Sequence, residues 1–171
     1  LIPRVLEIDP NETRVLEAAG LIAHFAGNIA DAKKYFRLSI EKNTGFKEDR
    51  MTVSPIGLGH ILLMEGNSVE AEVYLLRAQE NFLAEVHNGS KFEPPFYLAS
   101  IYAIRNDPAS AVAWLKTALE FNWLDYTRVT HGPYFNNLKA NDELKQLINL
   151  VQNKSDSIRA HADKMFIPVK R

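Results

Sequence analysis

The chain has 171 residues, of which 46% are apolar and 24% charged, with a formal net charge of −1. That composition belongs to a folded globular chain, one domain or one compact array; it excludes wholesale disorder and shows no overall electrostatic footprint for nucleic acid or an anionic membrane. The absence of cysteine excludes disulfides, thiolate zinc sites and a cysteine nucleophile, and leaves either redox compartment open.

No apolar run approaches the roughly 20 residues of a membrane-spanning helix, and no secretion signal opens the chain. Leu1 falls partway through a helical pattern. The expectation is therefore a soluble piece of a longer protein, suited to cytoplasm or periplasm alike.

The first stripe, Leu1, Ile2, Val5, Leu6 and Ile8, stops at Pro10 and reads as the second helix of a pair whose first helix lies upstream. Lacking that partner, it predicts loosened structure or self-association into a homodimer. Asn11 or Thr13 is expected to cap a helix carrying Val15, Leu16, Ala19, Leu21, Ile22 and Phe25. Gly27-Asn28 breaks it, and a second helix follows through Ile29, Ala32, Tyr35, Phe36, Leu38 and Ile40 to Asn43-Thr44-Gly45.

After a polar connection from Phe46 to Thr52, Ser54 as cap and Pro55 in the first turn open a third helix. Gly66 ends it, and Asn67 with Glu70 forms a capping box for a fourth through Ala71, Tyr74, Leu75, Ala78, Phe82 and Val86. His87-Asn88-Gly89 closes that helix, and Pro94-Pro95 opens the fifth. Asp107 and Pro108 start the sixth, with Ala111, Val112, Trp114, Leu115, Ala118 and Leu119 on its apolar face.

Asn122 to Pro133 is expected to be irregular or briefly helical, followed by a short apolar patch at Tyr134, Phe135 and Leu138. From Asn141 an amphipathic helix carries Leu144, Leu147, Ile148 and Val151, with Ile158, Ala162 and Met165 extending it more thinly. No stretch alternates with period two, so the expected fold class is all-α.

One register recurs three times. Gly20, Gly59 and Ala99 are each followed twelve residues later by Ala32, Ala71 or Ala111, then by Phe36, Leu75 or Leu115, then by Ser39, Ala78 or Ala118. Small residues at a close helix crossing and a large apolar residue between pairs are what stacked helical hairpins require. With Leu58-Gly59 and Leu62, Leu98-Ala99 and Tyr102, and Ala19-Gly20 and Ala23, the pattern resembles the tetratricopeptide repeat, W-x2-L-G-x2-Y, A-x3-F, P. Pro10 fits the closing proline of a preceding repeat. Leu16, Pro55 and Pro95 stand where the family has its leading Trp, and the periods are 39 and 40 residues rather than the family's roughly 34.

The resemblance implies a TPR-like α-solenoid of helix-turn-helix repeats over residues 1–122: a half repeat at 1–10, then repeats at about 13–46, 52–88 and 92–122. Residues 123–171 would form a C-terminal extension with a capping helix. Pro133-Tyr134-Phe135, Leu138, Asn141, Leu144 and Leu147 are similar to segments ending repeat arrays in some bacterial adenylate cyclases and winged-helix regulators of the CadC type. That likeness implies a regulatory fragment of a larger bacterial signalling or transcription-regulating protein.

Sites for covalent chemistry are not apparent. The five histidines, His24, His60, His87, His131 and His161, include no i, i+4 pair and no H-E-x-x-H. Glu17, Asp31, Glu70 and Glu72 read as caps and solvating charge. Neither G-x-S-x-G nor a phosphate-binding loop occurs, and Gly57 and Gly59 sit inside a helical segment where they permit close approach. Asn11-Glu12-Thr13 and Asn88-Gly89-Ser90 match the glycosylation pattern, which has meaning only in a secreted eukaryotic protein. No enzyme activity, cofactor or metal is expected, and no nucleic-acid contact by this segment.

The expected function is non-enzymatic: scaffolding through a groove that takes a protein or peptide partner, or another domain of the parent chain. Its lining is expected to include Leu21, His24, Phe25, Ile56, His60, Leu63, Met64, Phe96 and Ser100. Some tetratricopeptide domains clamp a terminal carboxylate with Lys and Asn on successive first helices. The matching positions here are Glu17 and Leu21, Ile56 and His60, and Phe96 and Ser100, which is the wrong chemistry for that clamp. The groove is either open to an apolar or helical ligand, or filled by the tail and by internal packing. The alternative function is a small-ligand or pH sensor that uses His24 and His60, since histidine titrates near neutrality.

Overall fold

Three helix pairs share one turn. In the computed structural model, which describes residues 11–43, 52–90 and 92–165 with positions 2, 4, 7 and 9, the pairs are α1 (Thr13–Phe25) with α2 (Ile29–Lys42), α3 (Ser54–Met64) with α4 (Ser68–His87), and α5 (Pro94–Ile104) with α6 (Pro108–Glu120). Within each pair the chain turns through a left-handed residue: Gly27 at φ 76°, Gly66 at φ 82° and Asn106 at φ 58°. Glycine and asparagine tolerate that conformation, which other residues adopt at a cost.

The next residue's amide donates back to the first helix at 2.9 Å in all three turns, Asn28 to Ala23, Asn67 to Leu62 and Asp107 to Tyr102. The same residue then caps the second helix, because the Asn28, Asn67 and Asp107 side chains accept from the amides of Asp31, Glu70 and Ser110 at 3.3, 3.4 and 3.1 Å. The spacing read from the sequence is therefore a local stop–start signal written three times.

Each helix packs most extensively on its pair partner, then α2 on α3 and α4 on α5, while the first helices α1, α3 and α5 touch in succession. Ala32, Ala71, Ala111, Phe36, Leu75, Leu115, Ser39, Ala78 and Ala118 are all buried. A Cβ at Gly20 would lie 2.6 Å from the Phe36 ring, and one at Gly59 would lie 2.8 Å from Leu75 Cγ. The small residue of the first helix thus meets the large apolar residue of the second. Gly57 acts across the junction: a Cβ there would overlap the far side of the Phe36 ring. Phe36 consequently fills the space between Gly20 and Gly57 and sets how closely α1 approaches α3.

Two starts differ from expectation. Glu12, not Asn11 or Thr13, caps α1 by accepting from the Val15 amide at 2.8 Å. Ser54 does not cap α3; Val53 occupies that position without a side-chain bond. The Glu17 carboxylate of α1 reaches across and accepts from the Val53 amide at 2.8 Å, from the Ser54 amide and hydroxyl at 3.3 Å each, and from the Thr52 hydroxyl. A carboxylate among exposed amides at a helix N-terminus is favourable both as an acceptor and as a charge against the helix dipole.

Beyond α6 the chain forms a short helix, α7 (Thr127–Thr130), a 3-10 helix, η1 (Pro133–Leu138), and a long helix, α8 (Asp142–Met165). Trp123 stacks on Phe96 with ring centroids 4.5 Å apart, and the Arg128 guanidinium lies 4.2 Å over the same ring. Arg128 also pairs with Glu93 at 3.0 Å and donates to the Tyr97 hydroxyl at 3.2 Å. The extension therefore folds back over α5, and η1 rests on it. Buried Leu144, Leu147 and Val151 lie on the face of α8, which packs on α6.

The described residues are all-helical, without strands, and no helix among them is long and apolar enough to cross a membrane. Most of the expected half repeat at 1–10 and the connection at 44–51 lie outside the described residues.

The Phe36 junction yields a stability prediction. Replacing a helical Gly by Ala ordinarily gains about 1 kcal/mol. At Gly57 the overlap with an immobile ring should win, and Gly57→Ala should lower unfolding free energy by about 2 kcal/mol. Urea denaturation of the variant, alone and combined with Phe36→Leu, measures it; the smaller partner should recover part of the loss.

Candidate functional site

The three first helices end side by side. Phe25, Met64 and Ile104 occupy the same register position on α1, α3 and α5, one residue after His24, Leu63 and Ala103. Phe25, Met64 and Ile104, with His24 and Leu63, form one wall of a recess of about 490 Å³. The extension closes the other side with His131, Pro133, Asn136 and Asn137.

His24 and His60 both border this recess. They are not equivalent in the register: His60 stands where the first pair has Leu21, and His24 where the second pair has Leu63. They meet because α1 and α3 lie close, and His60 Nδ1 is 3.1 Å from His24 Nε2. Tyr134 of η1 covers both rings, at centroid distances of 5.4 and 5.5 Å, and the Phe36 ring stands edge-on to His24 at 5.9 Å. His24 is 2% exposed, and its Nδ1 has no hydrogen-bond partner among the described residues; neither has the buried Tyr134 hydroxyl.

The pair is consequently held neutral. Burial pushes the His24 imidazole down to about 4, with the charge of His60 adding to the effect, and burial alone pushes His60 down to about 4. One ring nitrogen donates to the other, a bond that requires at least one ring to be unprotonated. Burial also raises the Tyr134 phenol well above its ordinary range. His131 borders the same recess, and its Nδ1 lies 2.8 Å from the Thr130 hydroxyl. Among the described residues no group of three or more His, Cys, Asp or Glu side chains is arranged to hold a metal ion.

Five of the nine expected groove residues, His24, Phe25, His60, Leu63 and Met64, border the recess. Leu21 is half-buried and packs against the core. Ile56, Phe96 and Ser100 are a correction to the expected lining, because all three are buried. Trp123, Arg128 and Phe135 cover Phe96, and the Ser100 hydroxyl donates to the Phe96 carbonyl at 2.9 Å. Of the two states left open by the sequence, the tail occupies the part of the groove along α5, and the end nearest the intra-pair turns stays accessible. Asn136, Asn137 and His131 were missed as lining residues; the adjoining Pro133-Tyr134-Phe135 motif was the available signal that this segment mattered.

The direction of pH dependence follows from the lowered values. Between about pH 6.5 and 4 the unfolded chain binds more protons at these two residues than the folded chain does. Their contribution is intact above that window and lost as pH falls through it, by on the order of 3 kcal/mol per imidazole at the acid limit. Urea unfolding at pH 7, 6, 5 and 4 should show a steeper decline for the wild-type chain than for His60→Gln. No family model, curated protein or solved structure matches this chain.

Proposed function

We propose that the chain is a non-enzymatic interaction module, a tetratricopeptide-like α-solenoid whose repeats span about 13–46, 52–88 and 92–122, with 123–171 as its C-terminal cap. The thrice-written turn and the equivalent burial of Ala32, Ala71 and Ala111 support the repeat reading. The recess where the first helices end is the proposed partner site. One observation carries this assignment: Phe25 and Met64, large apolar side chains at equivalent positions, remain 43% and 60% exposed at its rim. Apolar surface beside a concave site marks a place where another chain docks. The similarity of the tail to bacterial regulatory arrays makes a signalling or transcription-regulating parent the natural setting, and the partner could equally be another domain of that parent.

A second reading, a pH or small-ligand sensor, is favoured by the His24–His60–Tyr134 cluster. Charging the imidazoles would strain the α1–α3 contact beside the recess. A stability profile in which His60→Gln parallels the wild type would leave this reading without a basis.

Selection of a displayed random-peptide library on the folded chain tests the interaction reading. Enriched peptides should bind about tenfold or more weakly to Met64→Glu, whose melting temperature should be unchanged because the side chain lies mostly in solvent. Enrichment that is indifferent to Met64 and Phe25, or no enrichment, would contradict it.

A further inference from the structure

We infer that the recess accepts an internal peptide segment through an uncharged anchor side chain, aromatic or carboxamide-bearing, and rejects both a terminal carboxylate and a charged side chain. The inference rests on the interaction reading and specifies the partner's chemistry at that same site.

The charge character of the lining carries the argument. Among the described residues, no Asp, Glu, Lys or Arg side chain lines the recess. Its polar groups are the imidazoles of His24, His60 and His131 and the carboxamides of Asn136 and Asn137, and the carboxamides offer neutral donors and acceptors. Leu63, Met64 and Ile104 supply the apolar wall. A formal charge entering here would lose water and meet no carboxylate, ammonium or guanidinium of the described residues in return, a costly mismatch. A neutral ring or amide would place its flat face on the apolar wall and its polar edge on the carboxamides.

His24 and His60 do not alter this at neutral pH. Each is too depleted of protons to serve as a cationic anchor for a carboxylate. The recess volume of about 490 Å³ lies within the range of roughly 300–1,000 Å³ typical of ligand sites. A free small molecule filling it would leave the outer faces of Phe25 and Met64 in water. A peptide running on across the rim would cover both, which favours a chain segment as the occupant.

The test uses four synthetic hexapeptides and the whole chain, followed through the amide resonances of Leu63, Met64, Asn136 and Asn137. The reference is end-blocked Gly-Gly-Phe-Gly-Gly-Gly; two others replace Phe by Glu or Lys, and the fourth, Gly-Gly-Gly-Gly-Gly-Phe, is blocked at its N-terminus alone and ends in a free carboxylate. The blocked neutral peptide should move these resonances saturably, and the three charged ones should bind at least about tenfold more weakly. Asn137→Asp should narrow that gap for the Lys peptide alone. If a charged peptide binds as well as the neutral one at these resonances, the inference falls and the interaction reading survives. If neither these peptides nor library-selected ones move them, both fall together.

Discussion

The distance between α1 and α3 is the constraint from which the rest of the molecule follows. It is set by one aromatic ring held between two glycines, Phe36 between Gly20 and Gly57. The ring is fully buried, and truncating such a side chain typically costs about 3–5 kcal/mol. Because neither glycine carries a side chain, the helices can approach far enough for Glu17 of α1 to reach the N-terminus of α3 at one end. At the other end the same approach brings His24 within 3.1 Å of His60. A single packing decision thus positions both the polar clasp between the first two pairs and the histidine pair beside the recess.

The extension works on the next pair by different chemistry. Phe96 receives Trp123 on one contact and the Arg128 guanidinium on another, and Glu93 and Tyr97 hold that guanidinium in place. These contacts anchor α7 and η1 over α5. Anchored there, η1 lays Tyr134 across both imidazoles and brings Asn136 and Asn137 to the recess. The site therefore belongs to no single pair. Its apolar wall comes from the ends of three first helices and its polar groups from those helices and from the tail.

The parts of this arrangement that are local in the chain were legible in the sequence. Gly27-Asn28, Gly66-Asn67 and Asn106-Asp107 each stop one helix and start the next through their own side chains and backbone, so their spacing alone placed the turns. Ala32, Ala71 and Ala111 were readable as buried because helical periodicity encodes the face. Ser54 was misleading, since the cap of α3 comes from Glu17, on another helix and 37 residues away. Whether Ile56, Phe96 and Ser100 lined an open groove or lay under other parts of the chain was left open for a similar reason: nothing near them in the chain signals that Trp123, Arg128 and Phe135 will cover Phe96. Helix lengths were less legible: α4 runs for 20 residues, from Ser68 to His87, against 14 for α2 and 13 for α6.

The close approach of α1 to α3 is what keeps the two imidazoles dry and neutral. Residue-resolved NMR titration of the His24 and His60 ring resonances, in the wild-type chain and in Gly57→Ala, addresses this directly. In the wild type both rings should remain unprotonated until near pH 4, and spreading the helices should move both midpoints back toward about 6.5, the ordinary histidine value. Wild-type rings that titrate independently near 6.5 would contradict the account.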